Sequence, residues 1–87
     1  APLALGGIGD AFAELDQLSD ALNYYKKALS FSDNQITYPR YLRKAGLVAL
    51  SLGDKKTAKA YFTILKDEFS DGVDAKYIDA LIGKASI

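Results

Sequence analysis

KAGLVALSLGDKKTAKAYF, residues 44–62, reads as a helix, a tight turn and a second helix. Ala45, Ala49 and Leu52 recur at helical spacing before the turn, and Ala58, Phe62 and Leu65 do so after it. Gly53 can take the left-handed conformation that ends the first helix, and Asp54 can cap the start of the second. The same pattern occurs earlier in the chain at a fixed offset, so the sequence predicts a repeat protein built from helical hairpins.

Composition narrows the function classes. An 87-residue chain forms one small domain that buries about 60–65% of its unfolded surface, so its core must come from well-packed helices. With 49% apolar and 25% charged residues it is too apolar for disorder. A net charge of zero provides no overall field towards nucleic acid or an anionic membrane. The chain has no cysteine and no histidine. That excludes disulfides, thiol nucleophiles and Ser-His triads, and nearly every zinc site. No apolar run approaches the roughly 18 residues of a membrane span. The abrupt start at Ala1-Pro2-Leu3 suggests an excised piece of a longer protein whose targeting segment is missing. The cytoplasm and the periplasm or cell envelope both remain open.

Taken in order, Leu5, Ile8, Phe12 and Leu15 mark a first helix that begins near Pro2. Gly6-Gly7-Ile8-Gly9 lacks the preceding strand and the spacing of a phosphate-binding loop, so close helix approach explains these glycines better. After a turn at Asp16-Gln17 a second helix carries Leu18, Ala21, Leu22, Tyr25, Ala28 and Leu29 inward. Ser32–Gln35 is a predicted loop, and Ile36–Tyr38 is expected to be extended because it leads into Pro39. Pro39 is expected to open a third helix with Leu42, Ala45, Ala49 and Leu52 inward. A fourth runs from about Lys55 to Phe69 and carries Ala58, Tyr61, Phe62, Leu65 and Phe69. Ser70 or Asp71 is expected to cap a fifth, from about Gly72 to Ala85, with Val73, Tyr77, Ile78, Leu81 and Ile82 as its stripe.

An offset of 37 residues places Leu5 on Leu42, Gly9 on Gly46, Leu15 on Leu52, Ala21 on Ala58, Tyr24 on Tyr61 and Tyr25 on Phe62. Within each unit the sequence resembles the tetratricopeptide repeat, which pairs a small residue in the first helix with an Ala–x₃–aromatic pattern in the second. The first unit carries Ile8-Gly9, Phe12, Ala21, Tyr25 and Ala28; the second carries Ala45-Gly46, Ala49, Ala58 and Phe62, with Leu65 in place of the closing alanine. The resemblance implies an all-α, right-handed α-solenoid of antiparallel helix hairpins, with five helices. Its parts would be a first repeat over about 2–31, a connector over 32–39, a second repeat over about 39–69 and a C-terminal capping helix over about 72–85. The offset exceeds the family's period of about 34 residues, and because the units match in length the extra residues fall in the connector. The hairpins and their turns are also similar to those of bacterial envelope-associated repeat proteins.

No catalytic, cofactor or metal site is expected. Asp10 and Glu14 lie one helical turn apart, but no third polar group converges on them, so a solvated face explains them better. By resemblance to the family the chain is a non-catalytic scaffold that binds a protein or peptide in a concave groove lined by the first helix of each hairpin. The groove positions would be Leu3, Gly6, Asp10, Ala13 and Glu14, then Arg40, Arg43, Lys44, Leu47 and Leu50, with Gly9, Ala21, Ala28, Gly46 and Ala58 as packing positions. Some family members hold a partner's C-terminal carboxylates through basic residues and asparagine. Arg40 and Lys44 match two of those basic positions, whereas Gly6 and Asp10 replace the Lys–x₃–Asn pair, as do Arg43 and Leu47. Arg40, Arg43 and Lys44 therefore either grip an acidic segment more loosely or form a solvated face. The alternative function is assembly, with the first hairpin's Leu3, Leu5 and Ile8 pairing with another copy or stacking on upstream repeats. Lys55, Lys56 and Lys59 face outward without interleaved aromatics, so no nucleic-acid partner is expected, nor any membrane contact.

Overall fold

The computed structural model describes residues 2–31, 37–69 and 75–86. Within them the chain forms α1 (Pro2–Glu14), α2 (Leu18–Phe31), α3 (Thr37–Ser51), α4 (Lys55–Glu68) and α5 (Ala75–Ser86), and no described residue is in a strand. Each helix packs mainly on its neighbours in sequence, which is the contact pattern of a solenoid. The fold is an all-α solenoid of antiparallel helix hairpins.

Both hairpins close with the same hydrogen-bonded turn. The Asp16 N–H donates to Ala13 O at 3.1 Å and the Gln17 N–H to Phe12 O at 2.9 Å. One repeat later, the Gly53 N–H donates to Leu50 O at 3.1 Å and the Asp54 N–H to Ala49 O at 2.9 Å. This pairing satisfies the last carbonyls of α1 and α3 and requires a left-handed residue just past the helix. Asp16 supplies it with φ 60° and Gly53 with φ 83°. The Asp54 side chain then accepts from the Thr57 N–H at 3.2 Å, capping α4.

The helices of each hairpin meet at a glycine. A Cβ on Gly9 would lie 2.7 Å from the Tyr25 ring, and one on Gly46 would lie 2.5 Å from the Phe62 ring. Ala21, Ala28, Leu42, Ala45, Ala49, Ala58, Phe62 and Leu65 are fully buried around these contacts, and Ile78 of α5 is nearly so.

The structure departs from the sequence expectations in four places. Thr37 and Tyr38 are helical, not extended, because α3 starts at Thr37. Pro39 thus falls within the first turn, where its missing N–H has no intrahelical acceptor. Leu15 and Leu52, expected to face inward, are 67% and 40% exposed. Both follow the last residue of a helix, where the chain reverses and helical spacing no longer sets direction. Tyr41 and Val48, absent from the expected stripe, are buried because α3 packs on α2 as well as on α4. In α5, Tyr77 is exposed while Ile78 and Leu81 are buried. The expected caps Ser70 and Asp71, together with Val73 and the loop at 32–36, lie outside the described residues.

The glycine contacts predict opposite outcomes for one substitution at two sites. Gly46→Ala forces a methyl group into the buried Phe62 ring and is expected to lower stability by about 1–3 kcal/mol. Gly7 has open space around its Cβ position among the described residues, so Gly7→Ala is expected to add about 0.5–1 kcal/mol. Thermal unfolding followed by circular dichroism measures both.

Candidate partner-binding groove

The first helices of the two hairpins meet at Gly6. The side chain of Tyr41 fills the space that a Cβ there would occupy, with its Cζ and hydroxyl oxygen lying closest to that position. This approach of α3 to α1 brings Asp10 and Lys44 together. The Lys44 ammonium donates to Asp10 Oδ1 at 2.9 Å and Oδ2 at 3.0 Å. Asp10 Oδ1 also accepts from the Tyr25 hydroxyl at 2.5 Å. The Tyr25 and Tyr41 rings stack with centroids 6.1 Å apart, and the Lys44 ammonium sits 5.7 Å from the Tyr41 centroid. One carboxylate thereby ties α1 to both α2 and α3.

The electrostatics follow from this geometry. Burial disfavours the charged form of Asp10, but the hydrogen bonds from Tyr25 and Lys44 and the charges of Lys44 and Arg40 outweigh it, so its pKa is lowered. Burial, and next the hydrogen bond to Asp10, push the Tyr25 hydroxyl well above the ordinary phenol range. The Lys44 and Asp10 side chains remain 31% and 41% exposed. Water competes for the pair, and its contribution is on the order of 1 kcal/mol.

Other groove positions are distributed unevenly. Arg40, Arg43 and Glu14 are exposed, whereas Ala13, Leu47 and Leu50 are half-buried. Neither Arg40 nor Arg43 forms an ion pair with another described residue. Gly6 is buried, so it forms no open part of the groove. The Leu3 side chain lies outside the described residues. The three expected cations are therefore not equivalent. Lys44 is engaged within the chain, and two guanidinium groups face solvent beside Leu47. Asp10 and Glu14 do not form a joint carboxylate site, since Asp10 is held by Lys44 and Tyr25. No group of three acidic residues positioned to hold a metal exists among the described residues.

Sequence reasoning missed the roles of the two tyrosines. Tyr25 counted as an inward stripe residue and as the aromatic of the repeat pattern, with no role for its hydroxyl, and Tyr41 carried no periodic signal. The pairing of Gly6 with Tyr41 spans two hairpins, and only the angle between them reveals it.

Residues 3–35 match the family described as tetratricopeptide repeat. This segment covers α1, its turn and α2, and the second hairpin repeats its geometry 37 residues on, down to the same turn hydrogen bonds and the glycine–aromatic contact. The chain carries a tetratricopeptide repeat, a module of protein–protein interaction scaffolds that typically has no catalytic chemistry. Comparison with curated proteins and with solved structures finds no match. No helix among the described residues is long and apolar enough to cross a membrane.

Asp10 makes part of the stability depend on pH. Its pKa in the folded chain lies below that in the unfolded chain, so its contribution is present above the ordinary carboxylate range. That contribution is lost as pH falls through the lowered value. Asp10→Asn is expected to lower stability by about 1 kcal/mol at pH 7 and to flatten the stability profile below pH about 4. Urea unfolding across that range provides the check.

Proposed function

We propose that the α1–α3 surface holds an acidic segment of a partner protein. Arg40 and Arg43 supply the charge, and Leu47 supplies an apolar contact between them and the hairpin. The supporting observation is the pair of exposed guanidinium groups, neither ion-paired with a described residue, with Arg43 one turn and Arg40 two turns of helix before the half-buried Leu47. Guanidinium forks suit carboxylates because they donate two parallel hydrogen bonds. Lys44 has a different part in this reading. Held by Asp10, it fixes the spacing of α1 and α3, and with it the width of the surface that the arginines border.

A second reading, assembly through the outer face of α1, rests on a separate observation. Ala4, Gly7, Ile8 and Ala11 form an exposed apolar stripe on α1, with Ile8 42% exposed, and Leu15 in the following turn is 67% exposed. Leu5, expected to join it, is half-buried. If this stripe pairs two copies, sedimentation shows a concentration-dependent dimer that Ile8→Glu dissociates.

The groove reading is tested with a synthetic peptide rich in glutamate and aspartate. Its binding is expected to shift the backbone amide signals of Arg40, Arg43 and Leu47 and to weaken as salt is raised. The double variant Arg40→Glu/Arg43→Glu is expected to bind at least about tenfold more weakly, a loss of about 1.4 kcal/mol. Unchanged affinity in that variant, or shifts confined to the start of α4 around Lys55, Lys56 and Lys59, would refute the groove.

A further inference from the structure

Gly9, Gly46 and Gly83 stand at equal intervals of 37 residues. In the first two cases an aromatic ring sixteen residues later, Tyr25 or Phe62, lies against the glycine. At Gly83 no described atom lies within 4 Å of the Cβ position. The same interval relates the other faces of α3 and α5. Tyr41, Lys44 and Val48 lie on the side of α3 towards the first hairpin, as shown by Tyr41 on Gly6 and Lys44 on Asp10. Their counterparts Ile78, Leu81 and Ala85 are buried in α5, which packs on α4. Leu42, Ala45, Gly46 and Ala49 lie on the side of α3 towards its own second helix and are all buried. Their counterparts Asp79, Ile82, Gly83 and Ser86 are exposed or half-buried.

Thus α5 sits on the second hairpin as α3 sits on the first, and it leaves open the face that in α3 receives α4. Glycine inside a helix destabilises it relative to alanine. At Gly9 and Gly46 the close approach of a ring accounts for the residue. Nothing described approaches Gly83, so a cap exposed to water would gain by replacing it.

We infer that the Gly83 face of α5 is a docking surface for a helix carrying an alanine followed four residues later by tyrosine or phenylalanine, with the ring seated over Gly83. This occupant continues an interface already present twice in the molecule, since α2 carries Ala21 and Tyr25 and α4 carries Ala58 and Phe62 at that spacing. Ile82 supplies the apolar part of the seat. Asp79 replaces Leu42 at one edge and is paired with Lys66 at 2.6 Å, so the occupant must present a polar side there.

The test is a chain extended after Ile87 by a copy of Ser51–Phe69. This join places the copied Phe62 sixteen residues after Gly83, in the register of both existing hairpins. Tethering removes dependence on the weak helicity of an isolated peptide. The extended chain is expected to gain one helix by circular dichroism and to unfold in a single transition at a higher temperature than the 87-residue chain. Replacing the copied phenylalanine with alanine should remove the gain. Gly83→Leu should lower the melting temperature of the extended chain, while leaving that of the original chain unchanged or raised. An appended segment that stays unfolded, or a Gly83→Leu effect equal in both chains, overturns the inference and leaves α5 as a cap only. A dimer of the original chain that Gly83→Leu dissociates also overturns it, in favour of a second copy as the occupant.

Discussion

An aromatic ring lying against a glycine sets the distance between the helices of each hairpin, and most of the remaining architecture follows from it. The Phe62 ring lies where a side chain on residue 46 would begin, and Tyr25 does the same at residue 9. Backbones this close admit little bulk along their line of contact, which is why Ala21, Ala45, Ala49 and Ala58 line it and are fully buried. Close helices also need a short reversal, and the two turns provide it with matching hydrogen bonds and a left-handed residue in each. The contact thus constrains composition on both sides and the geometry of the turn between them.

Between hairpins the constraint is different. Tyr41 of the second hairpin reaches across to Gly6 of the first, and the stacked Tyr25 and Tyr41 rings fill the space behind it. Asp10 stands at the rim, accepting from Tyr25 of its own hairpin and from Lys44 of the next. Its carboxylate connects three helices, so the angle between the hairpins has an electrostatic component as well as a packing one. The same contact alters the charge that the surface presents. Pairing Lys44 with Asp10 removes one cation and one anion from what a partner meets, leaving Arg40 and Arg43 exposed beside Leu47.

Much of the fold was legible because a hairpin is a local object. Gly53 and Asp54 identify one turn by their chemistry, Asp16 identifies the other, and small residues matched at 37-residue spacing identify the close contacts. The expectations that failed lie where local periodicity stops applying. Leu15 and Leu52 follow the helical spacing of the residues before them but sit in turns. Tyr38 precedes a proline, which favours extended backbone, yet a helix can begin two residues before a proline at no cost in hydrogen bonds. The candidate site was legible in part. The positions Asp10, Arg40, Arg43 and Lys44 could be placed on first helices from the repeat alone, but the bond between Asp10 and Lys44 could not.

By itself the sequence determined the class of fold, the length and register of its hairpins, and the absence of cysteine and histidine chemistry. These depend on residue type and on spacing within one hairpin, where the backbone connects every interacting pair over a short distance. Only the tertiary structure decided that Tyr41 fills the space over Gly6, that Lys44 is held by Asp10, which also accepts from Tyr25, while Arg40 and Arg43 face solvent, and that no described ring lies upon Gly83. Each of these depends on how one hairpin is set against the next. That setting comes from the combined packing of side chains on several helices, and no single stretch of sequence records it.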